Sequence, residues 1–470
     1  MEVQRPDFGI SCFLVIILSY IYLLVALYGL LRNRLTMKWI SDEMRPFVLL
    51  YVTMFLEAMG SGLISAVLSV VARDELGCNN MQVGIIWSCY NGALILGSVG
   101  MGYMSDIVRR KYVLMLTLFW VAAGYVVTGF STSFQWLLIS RIATGLCGGS
   151  FSIAASILSA NLPVDSLPVA VGRLGTATSL GFAIGPLFSS AISAIWGDNR
   201  GNFFFLQRVE FFIAALIYCL AAALAGRLCP VLTAPSRGRV KSDNGGHVSP
   251  GLCLIWSSRF FSTCAVTVIY VTQVFLWREY LGFDRVWISL ATTASGLTVS
   301  VCQGFIFPLL VKKIGFHLAL ATGIACIGLA NAVLGPVTAT GIVPLHFACL
   351  VVFWFGLACM EPGTPVAVAA HLKQSAASSA KIKRRIHTGL AMGITSAMKY
   401  AASLSMPTLA GLLYDKYKLI VYYCGASVAC VGVAAVLLAW RCYSPLLPPK
   451  KHEDPEKAES ENTEPTDTVH

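Results

Sequence analysis

The sequence predicts an all-α polytopic membrane protein, two six-helix bundles preceded by one extra N-terminal transmembrane helix. Three observations lead there. The 470 residues are 56% hydrophobic and only 12% charged, with a mean hydropathy of +0.72; a soluble domain carries about twice that charged share. The chain is divided into apolar segments, most of them long enough to cross a bilayer, which takes roughly 20 helical residues. The bases fall in alternate loops: Arg109 to Lys111; Arg227, Arg237, Arg239 and Lys241; Lys312 and Lys313; Lys381, Lys383, Arg384 and Arg385. That alternation is expected of connections held on the cytoplasmic side.

Residues 10 to 31 form the first apolar run. Glu2, Arg5 and Asp7 precede it, and Arg32, Arg34 and Lys38 follow. This charge order puts the N-terminus outside or in a lumen and the linker inside. A net basic n-region is missing, so the run is expected to be retained rather than cleaved. Residues 1–45 are therefore an extra helix and its linker. Twelve core segments follow, near 47–73, 82–105, 111–130, 134–161, 169–196, 203–228, 252–277, 287–311, 317–337, 341–370, 388–413 and 418–441. The polar break at 232–250 divides them into bundles at 46–231 and 251–444, and is itself expected in the cytoplasm. The tail, 445–470, is rich in Pro, Glu, Lys, Ser and Thr. It lacks apolar surface to bury and is expected to be disordered in the cytosol.

The net charge of +11 follows from topology and does not point to nucleic acid. The fifteen Cys are scattered without metal-ligand spacing, so no metal or cofactor is expected. Cys78 lies in an outer loop with no evident partner, and no Asn-x-Ser/Thr acceptor occurs. Walker A, Gly-x-Ser-x-Gly and His-Glu-x-x-His patterns are missing, so neither ATP hydrolysis nor another enzymatic reaction is indicated.

The stretch Gly102-Tyr103-Met104-Ser105-Asp106-Ile107-Val108-Arg109-Arg110-Lys111 sets an acid and three bases between two apolar runs. Gly102 permits close helix approach. Asp106 can accept from helix N-terminal amides or from Arg109 or Arg110. In the second half, Gln303 to Gly315 keeps the Gly and a basic pair but lacks the Asp. Arg141 stands within the fourth core segment, where a lone charge costs about 2.5–3.5 kcal/mol on insertion scales. It needs an anionic partner or a wet cavity, unless it snorkels to the interface. Gly181, Gly185 and Ser189 share a face of the fifth segment, and Pro186 there permits a bend.

These stretches resemble ordered signatures of the major facilitator superfamily. The Gly102–Lys111 loop resembles its loop between helices two and three, although Arg109 stands where that family usually has Gly. Arg141 followed by Gly145 resembles a signature of proton-coupled members. Gly181-x-x-x-Gly185-Pro186 resembles that of drug:proton antiporters, including tetracycline efflux proteins, with Ser189 and Ser190 where Gly-Gly is usual. Ser405 to Asp415 resembles the end of the eleventh helix in the same branch. The resemblance implies the major facilitator fold, a mid-membrane site between the bundles, and a loop at Asp106 that latches the cytoplasmic side.

Glu57 matches an acid of the tetracycline-type antiporters. Its charged form is disfavoured in a low-dielectric cavity, which makes it a candidate proton carrier. Glu361, before Pro362, is a second. Lys399, with Ser396 and Ser403 on its face, can bind an anionic group or neutralise a buried acid. Asn91 and Gln273 can offer hydrogen bonds to substrate or join helices. Glu210 and Arg208 are expected near the interface. The implied partners are a small-molecule substrate, protons and the lipid bilayer, with the chain acting as a monomer. The resulting expectation is alternating-access, proton-coupled drug or metabolite antiport in the plasma membrane or an organelle membrane. A facilitative uniporter or symporter, and a transport-inactive receptor or scaffold of the same fold, are the alternatives.

Overall fold

The computed structural model describes residues 45–196, 203–228, 246, 248–282, 285–378, 386–417 and 420–443. The expected N-terminal helix and linker, most of the 232–250 break, the basic run 381–385 and the tail lie outside the described residues. Fourteen α-helices are described: α1 Val48–Val70, α2 Asn80–Ile107, α3 Arg110–Gly129, α4 Phe134–Leu146, α5 Ser150–Asn161, α6 Leu167–Trp196, α7 Phe203–Gly226, α8 Pro250–Glu279, α9 Arg285–Val301, α10 Phe307–Ile314, α11 Phe316–Ala339, α12 Val343–Ser378, α13 Thr388–Tyr417 and α14 Val421–Arg441. Because α4 with α5 and α9 with α10 each make one pass, the described helices form twelve passes. Eleven passes are long and apolar enough to cross a membrane. The remaining one, α13, has 30 residues but carries Lys399 among Ser, Thr and Gly, which lowers its hydropathy.

Local chemistry sets several boundaries. Asn79 and Gln82 form a reciprocal capping box at the start of α2, satisfying two orphan backbone donors. Ser249 caps α8, with Pro250 in its first turn, where a missing N–H costs nothing. Three expected segments are not continuous α-helix, and the first of them ends in a π-turn at Val71–Glu75. The fourth pass breaks at Cys147–Gly149, where Gly149 adopts φ 133°, a conformation open to glycine and strained for other residues. The eighth pass widens into a π-turn at Cys302–Ile306 just before Pro308. Pro308 cannot donate to the preceding turn, and its ring crowds it.

The packing repeats itself six passes on. In the first half α1 packs on α6 and α7, α2 on α4, and α3 on α7; in the second α8 packs on α13 and α14, α9 on α12, and α11 on α14. Between halves, α2 lies along α13 and α6 along α9. These two exchange contacts, each pairing a second pass with a fifth, leave a central space bordered by α5, α8, α12 and α13.

Candidate functional site

Glu57, on α1, is half-buried at the centre of the first half. Its Oε1 accepts from Ser150 Oγ at 3.1 Å and from the Tyr218 hydroxyl at 3.2 Å. Ser61 Oγ lies 2.6 Å from the same tyrosine oxygen. Since Tyr218 gives its proton to Glu57, Ser61 donates in turn to Tyr218, and a short hydroxyl chain ends on the carboxylate. Among the described residues no base lies within 4.0 Å of Glu57. The break in the fourth pass explains Ser150: it starts α5 beside Glu57, at a helix end whose dipole favours negative charge.

Arg141 is 2% exposed. It does not snorkel; its guanidinium stands 5.8 Å from the Tyr90 ring and 5.1 Å from the Tyr125 ring, within cation–π range. Nε and Nη2 are buried without a hydrogen-bond partner. The Tyr125 ring meets that of Tyr218 edge-on at 5.2 Å. Arg141 is thus joined to Glu57 through two aromatic side chains rather than by a salt bridge.

The second half contributes an ionic cluster. Glu361 on α12 accepts from Arg259 Nη2 on α8 at 2.8 Å and lies 3.4 Å from Lys399 Nζ on α13. Arg259 is buried, and its Nε and Nη1 have no hydrogen-bond partner. All three line a cavity of about 40 Å³ that also touches Phe151, Ser152 and Tyr400. That volume holds a few waters but not an organic solute, so the described conformation is nearly closed around the site. Lys399 is also close enough to act electrostatically on Glu57.

Among the remaining polar candidates, Asn91 donates to the Trp87 carbonyl of its own helix at 2.9 Å. Gln273 is buried, with Oε1 unpartnered. Glu210 is buried, with its Oε2 unpartnered, and Arg208 pairs with Glu75 at 3.2 Å. Cys78 is buried. Sequence reasoning missed Arg259, Tyr218, Tyr125 and Ser150. Arg259 was detectable by the argument used for Arg141, a lone base inside an apolar segment; the two tyrosines and the serine carry no such sign.

The Gly102–Lys111 stretch joins the halves at one end. Asp106 accepts from the Gly389 and Leu390 amides at 2.9 and 2.8 Å, so its carboxylate caps the start of α13. Arg110 Nη2 stands 3.7 Å behind it, both side chains being 1% exposed. A Cβ on Gly102 would sit 2.5 Å from the Gly389 carbonyl oxygen, so only glycine lets α2 and α13 approach this closely. Arg109 is exposed, and Lys111 lies over the Tyr112 ring. At the same end, Lys373 of α12 donates to the carbonyl of Leu162, the C-cap of α5. The equivalent contact in the other pseudo-repeat is neutral. Gln303 Oε1 accepts from Ser179 at 2.8 Å, and Thr176 and Ser300 exchange side-chain to backbone bonds at 3.0 and 3.2 Å. In the second half the eighth pass is therefore joined to α6 through amide and hydroxyl contacts.

Gly181 and Gly185 pack against α1: a Cβ at Gly185 would lie 2.5 Å from Leu63 N. Pro186 is accommodated within α6.

Comparison with known proteins adds four findings. The family model of the Major Facilitator Superfamily matches residues 50–382 and 255–468. The class E tetracycline resistance protein of Escherichia coli is 24% identical over 302 residues, covering 63% of this chain and 73% of that protein. Among solved structures, the human organic anion transporter MFSD10 (TETRAN) superposes with a TM-score of 0.66 at 17% identity, over 85% of this chain and 100% of that one. The proton:xylose symporter XylE, bound to 6-bromo-6-deoxy-D-glucose, superposes with a TM-score of 0.67 at 15% identity, over 84% and 95%. At these identities the two structures attest the fold.

Proposed function

Because this chain belongs to the major facilitator superfamily, we propose that it is a secondary active carrier coupling a small organic solute to protons by alternating access. The observation that carries this reading is a pair of unlike carboxylates in the middle of the fold, Glu361 in the wall of a cavity between the halves and Glu57 within electrostatic reach of Lys399 in that wall. Glu57 is held by hydroxyls alone, whereas Glu361 is tied to two bases. A carboxylate without a cation beside it takes up a proton most readily in a dry site, so Glu57 is the proton carrier and Glu361 the fixed counter-ion. The likeness to a tetracycline resistance protein supports antiport.

The chain of events follows from the geometry. With the Asp106 end, which the loop charges assign to the cytoplasm, held shut, the cavity opens to the other side for exchange. Protonation of Glu57 removes its charge and lets the site close dry on either side. Lys399, beyond ion-pair distance, supports the ionised form of Glu57, and the bound proton can therefore leave again. Reorientation requires Asp106 to release the α13 amides.

Proteoliposome flux under an imposed proton gradient tests this. Gradient-driven flux that disappears in Glu57→Gln, while exchange of the same solute without a gradient persists, is the expected result. Flux indifferent to the gradient makes the chain a uniporter, and no flux for any of a broad solute panel makes it a receptor or scaffold.

A further inference from the structure

We propose that the solute is an organic anion, a compact apolar body bearing a carboxylate or similar acidic group, held by Arg259 and Lys399. The inference rests on the carrier reading above and adds its substrate class. The wall of the cavity carries two bases and one acid, so Glu361 neutralises one of them and, while Glu57 is protonated, one positive charge remains. Arg259 is 4% exposed, yet only its Nη2 is bonded, to Glu361. Its Nε and Nη1 are buried and unpartnered. A buried guanidinium with unmet donors is costly unless something answers it. Water can accept those hydrogen bonds but cannot cancel the charge.

Lys399 has its side chain 41% exposed and faces the same cavity. An incoming acidic group thus finds a fork of fixed N–H donors on one helix and a movable ammonium on another. That donor pair suits a carboxylate or phosphate and repels an amine. Phe151, Met392, Pro365 and Tyr400 supply the larger side chains of the remaining wall, beside the hydroxyls of Ser152, Thr395 and Ser396, which suits an aromatic or aliphatic body. A cationic solute would need a free carboxylate in the cavity wall, where the acid is Glu361 and is committed twice over.

The test uses matched aromatic probes, benzoate, benzamide and benzylamine, on the full chain in proteoliposomes. Thermal stabilisation and radiolabel counterflow are the readouts. Benzoate is expected to stabilise the protein and to show saturable counterflow, with benzamide and benzylamine inactive. Arg259→Gln paired with Glu361→Gln removes both charges together and avoids an orphaned buried acid; it is expected to weaken the benzoate response about 10- to 100-fold. Arg259→Lys, which keeps the charge but loses the fork, is expected to fall between the two. Proton-driven uptake of benzylamine or benzamide without a benzoate response overturns the anion assignment and leaves the carrier reading standing. A benzoate response undiminished in the paired variant also overturns it. No flux of any probe under any gradient counts against the carrier reading and this inference together.

Discussion

Arg259 and Glu361 are mutually dependent. Removing Arg259 alone strips Glu361 of its 2.8 Å partner inside a nearly closed space. Breaking a buried pair from one side costs about 3–5 kcal/mol, whereas replacing both members is often neutral. Thermal melts should therefore place Arg259→Gln well below the parent, with most of the loss recovered on adding Glu361→Gln. A double variant no more stable than the single would remove the pair from the account. Tyr218→Phe is milder: it takes one of two hydroxyl donors from Glu57, and Ser150 remains. A single hydrogen bond to a charged group is worth about 1.5–3 kcal/mol. Proton-driven flux should fall in this variant yet survive, in contrast to its loss in Glu57→Gln.

The sequence made Glu57, Arg141, Glu361 and Lys399 visible because a charge inside an apolar run is rare and needs a reason. It could not say which acid meets which base, since that pairing is fixed by helices a hundred residues apart. Arg259 to Glu361 spans 102 positions. Tyr218 and Ser150 were illegible because hydroxyls are common in membrane helices, and only the fold brings these two to one carboxylate.

Among elements, the contact between α2 and α13 decides which end is shut. Asp106 caps α13 through two amides, and a carboxylate at a helix N-terminus is worth up to about 2 kcal/mol when partly buried. Asp106→Asn keeps an acceptor and loses the charge. It should raise the population open at this end several-fold. Labelling of Ser98→Cys by a water-soluble thiol reagent reports this, because Ser98 is buried where α2 meets α13. Gly102→Leu should act in the same direction and more strongly, since its side chain drives into the Gly389 carbonyl. Labelling equal to that of the parent in both variants would contradict the latch.

Helix spans were legible from hydropathy to within about four residues, except that α12 runs on to Ser378, eight residues past its expected end. The break at Cys147–Gly149 and the π-turn at Cys302–Ile306 were not. Both lie inside segments apolar enough to cross a membrane, and hydropathy is blind to backbone geometry. Gly148-Gly149 and Pro308 mark the two places only once the need for a helix start beside Glu57, or a kink beside α6, is known.

For the whole molecule, two halves repeat one packing scheme and meet along two helix pairs. One pair is charged and capped at Asp106; the other is neutral, at Gln303. This asymmetry makes the first latch the one that a change in charge releases. The central claim is that the halves rock about the site and that the proton on Glu57 biases them. Electron–electron resonance between spin labels at Tyr112 and Lys313, exposed residues on opposite halves at the Asp106 end, measures this without knowledge of the solute. The account predicts two distance populations whose ratio changes between the parent and Glu57→Gln, with the longer one enriched by Asp106→Asn. One distance, unchanged across all three proteins, would contradict it.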